Sequence, residues 1–223
     1  MITVHHLNNS RSQRVLWLLE ELGLDYEIKR YQRDPKTMLA PPELRAVHPL
    51  GKSPVITDNG LTIAESGAII EYLSDTYGAG RFVAERGTPD YLKQRYWLHY
   101  AEGSAMPVLL LKLVAARIGA TPMPFFARPV AKKISSGLQD RYVDPQLENH
   151  LAYIEGELAA TGWFAGADMS IADIQMSFPL EAASARGGMG SRFPAIKALL
   201  DRIHARPAYQ RAIEKGGEYA LLR

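Results

Sequence analysis

The 223-residue chain is 47% hydrophobic and 22% charged, the composition of an ordinary folded protein long enough to bury one or two cores. Its 26 Lys and Arg face 24 Asp and Glu, and a net charge of +2 gives no reason to expect nucleic acid or an anionic membrane as partner. No cysteine is present, which excludes disulfides, thiolate metal sites and any mechanism with a protein cysteine as nucleophile.

Taken in order, residues 2–7 read as a first strand, followed by Asn8, Asn9 and Ser10 as turn and cap residues. Val15, Leu16, Leu18, Leu19 and Leu22 then recur at helical spacing, and Gly23 marks the stop. A second strand is expected around Tyr26 and Ile28, completing a right-handed crossover unit. Four prolines (Pro35, Pro41, Pro42 and Pro49) make the next stretch irregular, with room for a short helix at 43–47. From His48 to Ile70 the chain reads as strand, turn, strand and helix: Asn59-Gly60 is a hairpin signal, and Glu65-Ser66 opens a helix that runs to about Tyr77. Pro54 belongs at the first residue of its strand, and a cis bond to Ser53 would leave the backbone groups of residue 53 free for an extended peptide.

Glycines 78, 80 and 87 with Pro89 mark a linker, and no further strand is expected beyond it. A long helical pattern covers 92–118, bent near Pro107. Its apolar run near Val108 is interrupted by Lys112 and Arg117, short of a membrane span. Further helices are expected at 125–130, 138–158, 193–203 and 208–213, with a break at 187–190. Ser170-Ile-Ala-Asp173 has the pattern of a capping box ahead of the buried-looking helix of Ile174, Met176, Phe178 and Leu180. The fold class is therefore an α/β unit of residues 1–80 followed by an all-helical unit of 89–223, with the cleft between them as the place for a small-molecule site. No basic segment followed by an apolar core opens the chain, so a cytoplasmic location is expected.

Several motifs carry little chemistry by themselves. Gly51-Lys52-Ser53 has the ending of a phosphate-binding loop, but Ala46 stands where the first glycine is required and Pro54 would break the helix. The histidines show no pair at helical ligand spacing, and His5 and His6 point to opposite faces of a strand, so no metal is expected. Trp97, Tyr100, Met106, Leu110, Phe125 and Phe126 are candidates for an apolar pocket, with core packing the plainer reading for most. Tyr100, Glu102 and Ser104 put polar groups on the long helix, within reach of the cleft or of a partner subunit.

Ser10-Arg-Ser-Gln-Arg14-Val-Leu before a helix, His48-Pro-Leu-Gly-Lys52-Ser53-Pro54-Val55, Glu65-Ser66-Gly-Ala-Ile-Ile-Glu71-Tyr72-Leu73, and Trp163-Phe164-Ala-Gly166 followed by Ser170-Ile-Ala-Asp173 together resemble the cytosolic glutathione transferases of serine type, bacterial and fungal. The resemblance implies a thioredoxin-like N-terminal domain, a helical C-terminal domain contributing an electrophile pocket, and a homodimer. It also implies glutathione as co-substrate, with no metal. Ser66 at a helix N-terminus suits the γ-glutamyl carboxylate, Glu65 its ammonium, Ser53 beside Pro54 the cysteinyl backbone, and Lys52 the glycyl carboxylate.

A thiol with a pKa of about 8.5 is only a few per cent thiolate at neutral pH, and lowering it by roughly two units needs about 2.7 kcal/mol of preferential thiolate stabilisation. One charge-assisted hydrogen bond supplies about 1.5–3 kcal/mol. Ser10 is the expected donor and thus the catalytic residue, with Asn9 and Ser12 as alternatives close by. The first strand lacks the tyrosine of other members, Ser53 stands where valine or isoleucine is usual, and Leu39 stands where some serine-type members place a glycyl-contacting histidine. The activity implied is attack of the activated thiol on a small apolar electrophile or a hydroperoxide. The alternative is a non-catalytic binding module on the same fold.

Overall fold

The computed structural model describes residues 1–37, 39–186, 189 and 192–222. Strand β1 (Ile2–Leu7) is followed by helix α1 (Ser12–Leu22) and strand β2 (Tyr26–Tyr31). Next come a short helix α2 (Pro42–Val47), strands β3 (Val55–Asp58) and β4 (Leu61–Ala64), and helix α3 (Ser66–Tyr77). The sheet order is β2-β1-β3-β4, with β1 parallel to β2 and antiparallel to β3, and β3 antiparallel to β4. A parallel pair needs a crossover, and α1 supplies it.

Local chemistry sets each boundary. Gly23 ends α1 in the left-handed conformation at φ 69°, its N–H bonded to the carbonyls of Glu20 and Leu19. Asn59 and Gly60, at φ 47° and 82°, make the tight turn between β3 and β4 that their sequence calls for. The Ser53–Pro54 peptide is cis and leads directly into β3. Val15 through Leu19 are fully buried, so α1 is enclosed on all sides rather than amphipathic.

The remaining described elements are helical. They are α4 (Pro89–Tyr100), α5 (Met106–Ala120), α6 (Arg128–Leu138), α7 (Asp144–Thr161), α8 (Ile171–Ala185), α9 (Pro194–His204) and α10 (Pro207–Gly216), and a last 3₁₀ turn spans Ala220–Leu222. Wider π-type turns at Ala101–Ala105 and Gln139–Val143 join α4 to α5 and α6 to α7. The first absorbs the bend expected at Pro107, which then falls in the first turn of α5 where a missing N–H costs nothing. The expected helix at 125–130 is displaced. Pro129 favours a helix start, so α6 begins at Arg128 and continues to Leu138, while Phe125 and Phe126 sit in a turn, 82% and 71% exposed. The break expected at 187–190 lies, apart from Met189, outside the described residues.

One further expectation changes. Residues Pro89–Ala120 form a continuous 32-residue helix with an 18-residue window of mean hydropathy 1.4, long and apolar enough to cross a membrane by length and composition, and only 22% of that window is buried. Lys112 and Arg117 do not interrupt it, because both lie within the helix and Lys112 reaches Asp144 of α7 at 2.7 Å.

Helix α8 is the central pillar of the helical domain, buried from Ile171 through Ala183. Its start is a complete capping box. Ser170 Oγ accepts from Ala172 N–H, while Asp173 accepts from Ser170 N–H at 2.7 Å, Ser170 Oγ at 2.9 Å and Phe164 N–H at 3.0 Å. Helix α8 packs on α1, α3 and α4, so it forms the wall of the cleft between the two domains.

Candidate functional site

The loop after β1 delivers a hydroxyl to that cleft. Asn9 adopts φ 51°, a conformation that asparagine tolerates, and Ser10 follows at the threshold of α1. Ser10 is 5% exposed, and its Oγ lies 2.7 Å from Ser12 Oγ and 3.2 Å from Ser53 Oγ. Ser53 Oγ donates to the His5 carbonyl at 3.0 Å and accepts from Leu7 N–H, so its proton is committed and it faces Ser10 as an acceptor. Ser12 is fully buried, 2.8 Å from His6 Nδ1. Burial, then the charge of Arg30, push the His6 imidazole down to about 4, so it is neutral near pH 7. In the tautomer with the proton on Nδ1, His6 donates to Ser12 and Ser12 to Ser10, which leaves the Ser10 proton free to turn outward. Asn9, by contrast, uses its side-chain oxygen to accept from Ala220 N–H at 2.7 Å.

The other end of the site is built around a residue whose role the sequence does not announce. Arg14, one helical turn beyond Ser10, is 1% exposed. Its guanidinium donates to Ser66 Oγ at 2.9 Å, to the Gln175 carbonyl of α8 at 2.5 Å and to Glu102 at 2.6 Å, joining α1, α3, the π turn and α8. Burial pushes this guanidinium down, and Glu102 opposes the shift. Gln175 Nε2 also reaches Ser66 Oγ, at 3.3 Å. Two buried polar atoms here, Arg14 Nε and Gln175 Oε1, have no partner among the described residues. Orphans of this kind are uncommon in a folded chain and fit a polar ligand at the N-terminus of α3. The signal for Arg14 was an arginine set into the apolar run of α1, which has to find a buried partner.

Among the expected site residues, Ser10 and Ser53 touch and Pro54 is buried beside them, whereas Ser66 is held separately by Arg14 and Gln175. No hydrogen bond to the backbone N–H or C=O of Ser53 is formed among the described residues. Lys52 and Glu65 stand exposed at the rim, with no side-chain hydrogen bond to the others. Glu65 adopts φ 70°, a costly conformation for a side chain of its size. Glu102 does reach the cleft, 3.0 Å from Arg11 Nε as well as bonded to Arg14. Arg11 Nε has no directed hydrogen bond among the described residues despite that distance, so the contact with Glu102 is an ion pair only. The six candidates for an apolar pocket do not come together: Trp97 and Met106 lie in the core, Tyr100 is bonded to His150, and Leu110, Phe125 and Phe126 are exposed. Phe178 of α8 packs against the start of α1, with the Arg11 and Arg14 guanidinium carbons 5.6 and 5.4 Å from its ring centre.

Residues 1–75 match the model of the glutathione S-transferase N-terminal domain, and residues 123–207 match that of the C-terminal domain. The chain belongs to the glutathione transferase family. This transferase is 37% identical to glutathione S-transferase 3 of Schizosaccharomyces pombe over 96% of this chain and 88% of that one. It is 34% identical to glutathione S-transferase 1 of Saccharomyces cerevisiae over 96% and 95%. A crystal structure of a glutathione S-transferase from Actinobacillus pleuropneumoniae superposes with a TM-score of 0.80 at 35% identity, covering 100% of this chain and 96% of that one. The thioredoxin-like sheet with its helices and the all-helical second half are the two domains of this transferase fold.

Proposed function

We propose that this enzyme activates the thiol of glutathione through Ser10 for attack on a small electrophile or a hydroperoxide. The observation that carries this reading is the buried Ser10 hydroxyl, held by Ser12 and Ser53 at the start of α1. Residues 1–80 would hold the tripeptide and 89–223 the acceptor. The γ-glutamyl carboxylate belongs at Ser66 and the N-terminus of α3, oriented by Arg14 and Gln175, with Glu65 toward the ammonium. The cysteinyl backbone belongs on the unpaired groups of Ser53, and the glycyl carboxylate toward Lys52. The fit is supported by the orphaned Arg14 Nε and Gln175 Oε1.

In the reaction the thiol proton leaves to water, the Ser10 hydroxyl donates to the resulting thiolate, and sulfur forms a bond to the acceptor as the leaving group departs with its electrons. Ser53 is the resting acceptor for the Ser10 proton, and a thiolate is a stronger one. Of the three polar residues near the start of α1, Ser12 is sealed from the cleft and Asn9 is engaged by the C-terminal turn, which favours Ser10. The enzyme would work in the cytoplasm as a homodimer.

Ser10→Ala should leave the glutathione affinity within a few fold while raising the bound thiol pKa by about one to two units, read from thiolate absorbance. The conjugation rate at neutral pH should fall about tenfold or more. An unchanged absorbance titration would move the donor away from Ser10. Calorimetric binding of glutathione with no turnover of any electrophile or hydroperoxide in a broad panel would favour the non-catalytic module.

A further inference from the structure

The last residues of the chain return to the loop that carries Ser10. Gly217 leaves α10 at φ 85°, and residues 217–222 run on as a strap that ends in the turn Ala220–Leu222. This strap lies beyond residue 207, where the match to the C-terminal domain model stops. Its path begins with a close approach. A Cβ at Gly216 would stand 2.7 Å from Gln13 Oε1, 3.0 Å from Leu16 Cδ1 and 3.6 Å from His6 Cε1, so glycine is what brings the end of α10 this near the start of α1. The Lys215 carbonyl meanwhile accepts from the Arg30 guanidinium of β2.

Two further bonds pin the strap. Tyr219 is buried, and its hydroxyl donates to Glu181 Oε2 of α8 at 2.6 Å. Glu181 is buried as well, and its other oxygen accepts from the Tyr209 hydroxyl at 2.5 Å, so the carboxylate is a fixed post inside the helical domain. The next residue along makes the second bond. Ala220 N–H donates to Asn9 Oδ1 at 2.7 Å, across 211 positions of the chain. On its other side the same loop is fastened by Asn8, whose N–H donates to the Tyr31 carbonyl at 3.2 Å and whose Oδ1 accepts from Arg33 N–H at 3.0 Å. Between these fastenings Asn9 holds φ 51°, a left-handed conformation that needs support in any residue with a side chain.

We propose that the strap positions the Ser10 hydroxyl toward the sulfur by holding Asn9 in its left-handed conformation, which makes Tyr219 a positioning residue for the reaction. This rests on Ser10 as the thiolate donor under the transferase reading above. A hydrogen bond weakens steeply as its angle closes, so a loop released at Asn9 would leave Ser10 giving only part of its effect.

Two variants release the strap at different points. Tyr219→Phe removes the hydroxyl that meets Glu181, and Ala220→Pro removes the N–H that meets Asn9 while leaving the Asn9 side chain in place. With glutathione saturating, thiolate absorbance followed against pH should show the bound thiol pKa raised by about half a unit in each, and conjugation at neutral pH slowed about threefold. Glutathione affinity by calorimetry should stay within about twofold. On a Ser10→Ala background neither variant should raise the pKa further, because the strap then has no donor to position. An unchanged titration in either folded variant overturns the proposal, as does a rise that persists in the Ser10→Ala background. Should Tyr219→Phe fail to fold because Glu181 loses a partner, the exposed Ala220→Pro decides alone. If Ser10→Ala itself leaves the titration unmoved, the donor reading fails and the role of the strap falls with it. If Ser10→Ala raises the pKa and the strap variants do not, the donor reading stands and only the strap is discarded.

Discussion

His6 shows how a single side chain links the stability of this protein to its chemistry. Its imidazole ordinarily titrates at 6.5, and burial with the Arg30 charge brings it to about 4 in the folded chain. Between those values the unfolded chain binds the extra proton and the folded one does not. The stabilisation is therefore present above pH 6.5 and is lost as pH falls toward 4, by roughly 3 kcal/mol in all. In His6→Gln this slope should disappear, so the stability gap between parent and variant, measured by urea denaturation, should narrow by roughly that amount from pH 7 to 4. A gap that stays constant across the window would remove His6 as the titrating group. The sequence placed His6 on a strand, but the neutral state and the contact with Ser12 come from burial that only the packed fold supplies. Ser10 itself was legible through its position ahead of a helix, while Arg14 was legible only as an anomaly within an apolar run.

At the scale of elements, the start of α8 shows where local sequence is sufficient. Ser170 and Asp173 satisfy one another's backbone groups within four residues, and Asp173 additionally holds Phe164 N–H. Ser170→Ala should cost about 1 kcal/mol, the usual worth of an N-cap. Asp173→Ala should cost about 3 kcal/mol, because it leaves two buried N–H groups unpartnered. Denaturant midpoints of the two variants would show this order, and equal losses would mean that the contact to Phe164 contributes nothing. The strands, the Asn59-Gly60 turn and the Gly23 stop were legible for the same reason, since each is decided by neighbours in the chain. Helix α6 was not. The apolar Phe125 and Phe126 suggested a helix over 125–130, whereas the helix starts at Arg128 with Pro129 in its first turn and both rings are exposed.

For the whole molecule, exposed apolar surface is the feature that calls for a partner. Leu61 on β4, Leu92 and Tyr96 on α4, and Leu110 and Val114 on α5 are each more than 40% exposed in the single chain, and the long helix to which most of them belong is mostly unburied. Patches of this kind on a folded domain are commonly covered by another copy of the chain. Sedimentation equilibrium at micromolar concentration should return twice the 24.8 kDa mass of the chain, and a monomer there would discard the homodimer. The Arg14 junction lies at the same scale, because it binds the thioredoxin-like half to α8 and the π turn in one set of hydrogen bonds.

By itself the sequence determined the order of elements, their caps and turns, the absence of cysteine chemistry and the family, since each rests on residue types at short and fixed spacings. The tertiary structure decided which polar side chains share a cleft. Ser53 reaches Ser10 across 43 residues, Gln175 reaches Ser66 across 109, and the Gln175 carbonyl meets Arg14 across 161. Separations of that length leave no periodic mark in the chain, because they are set by how α8 packs against α1 and α3 rather than by any local rule.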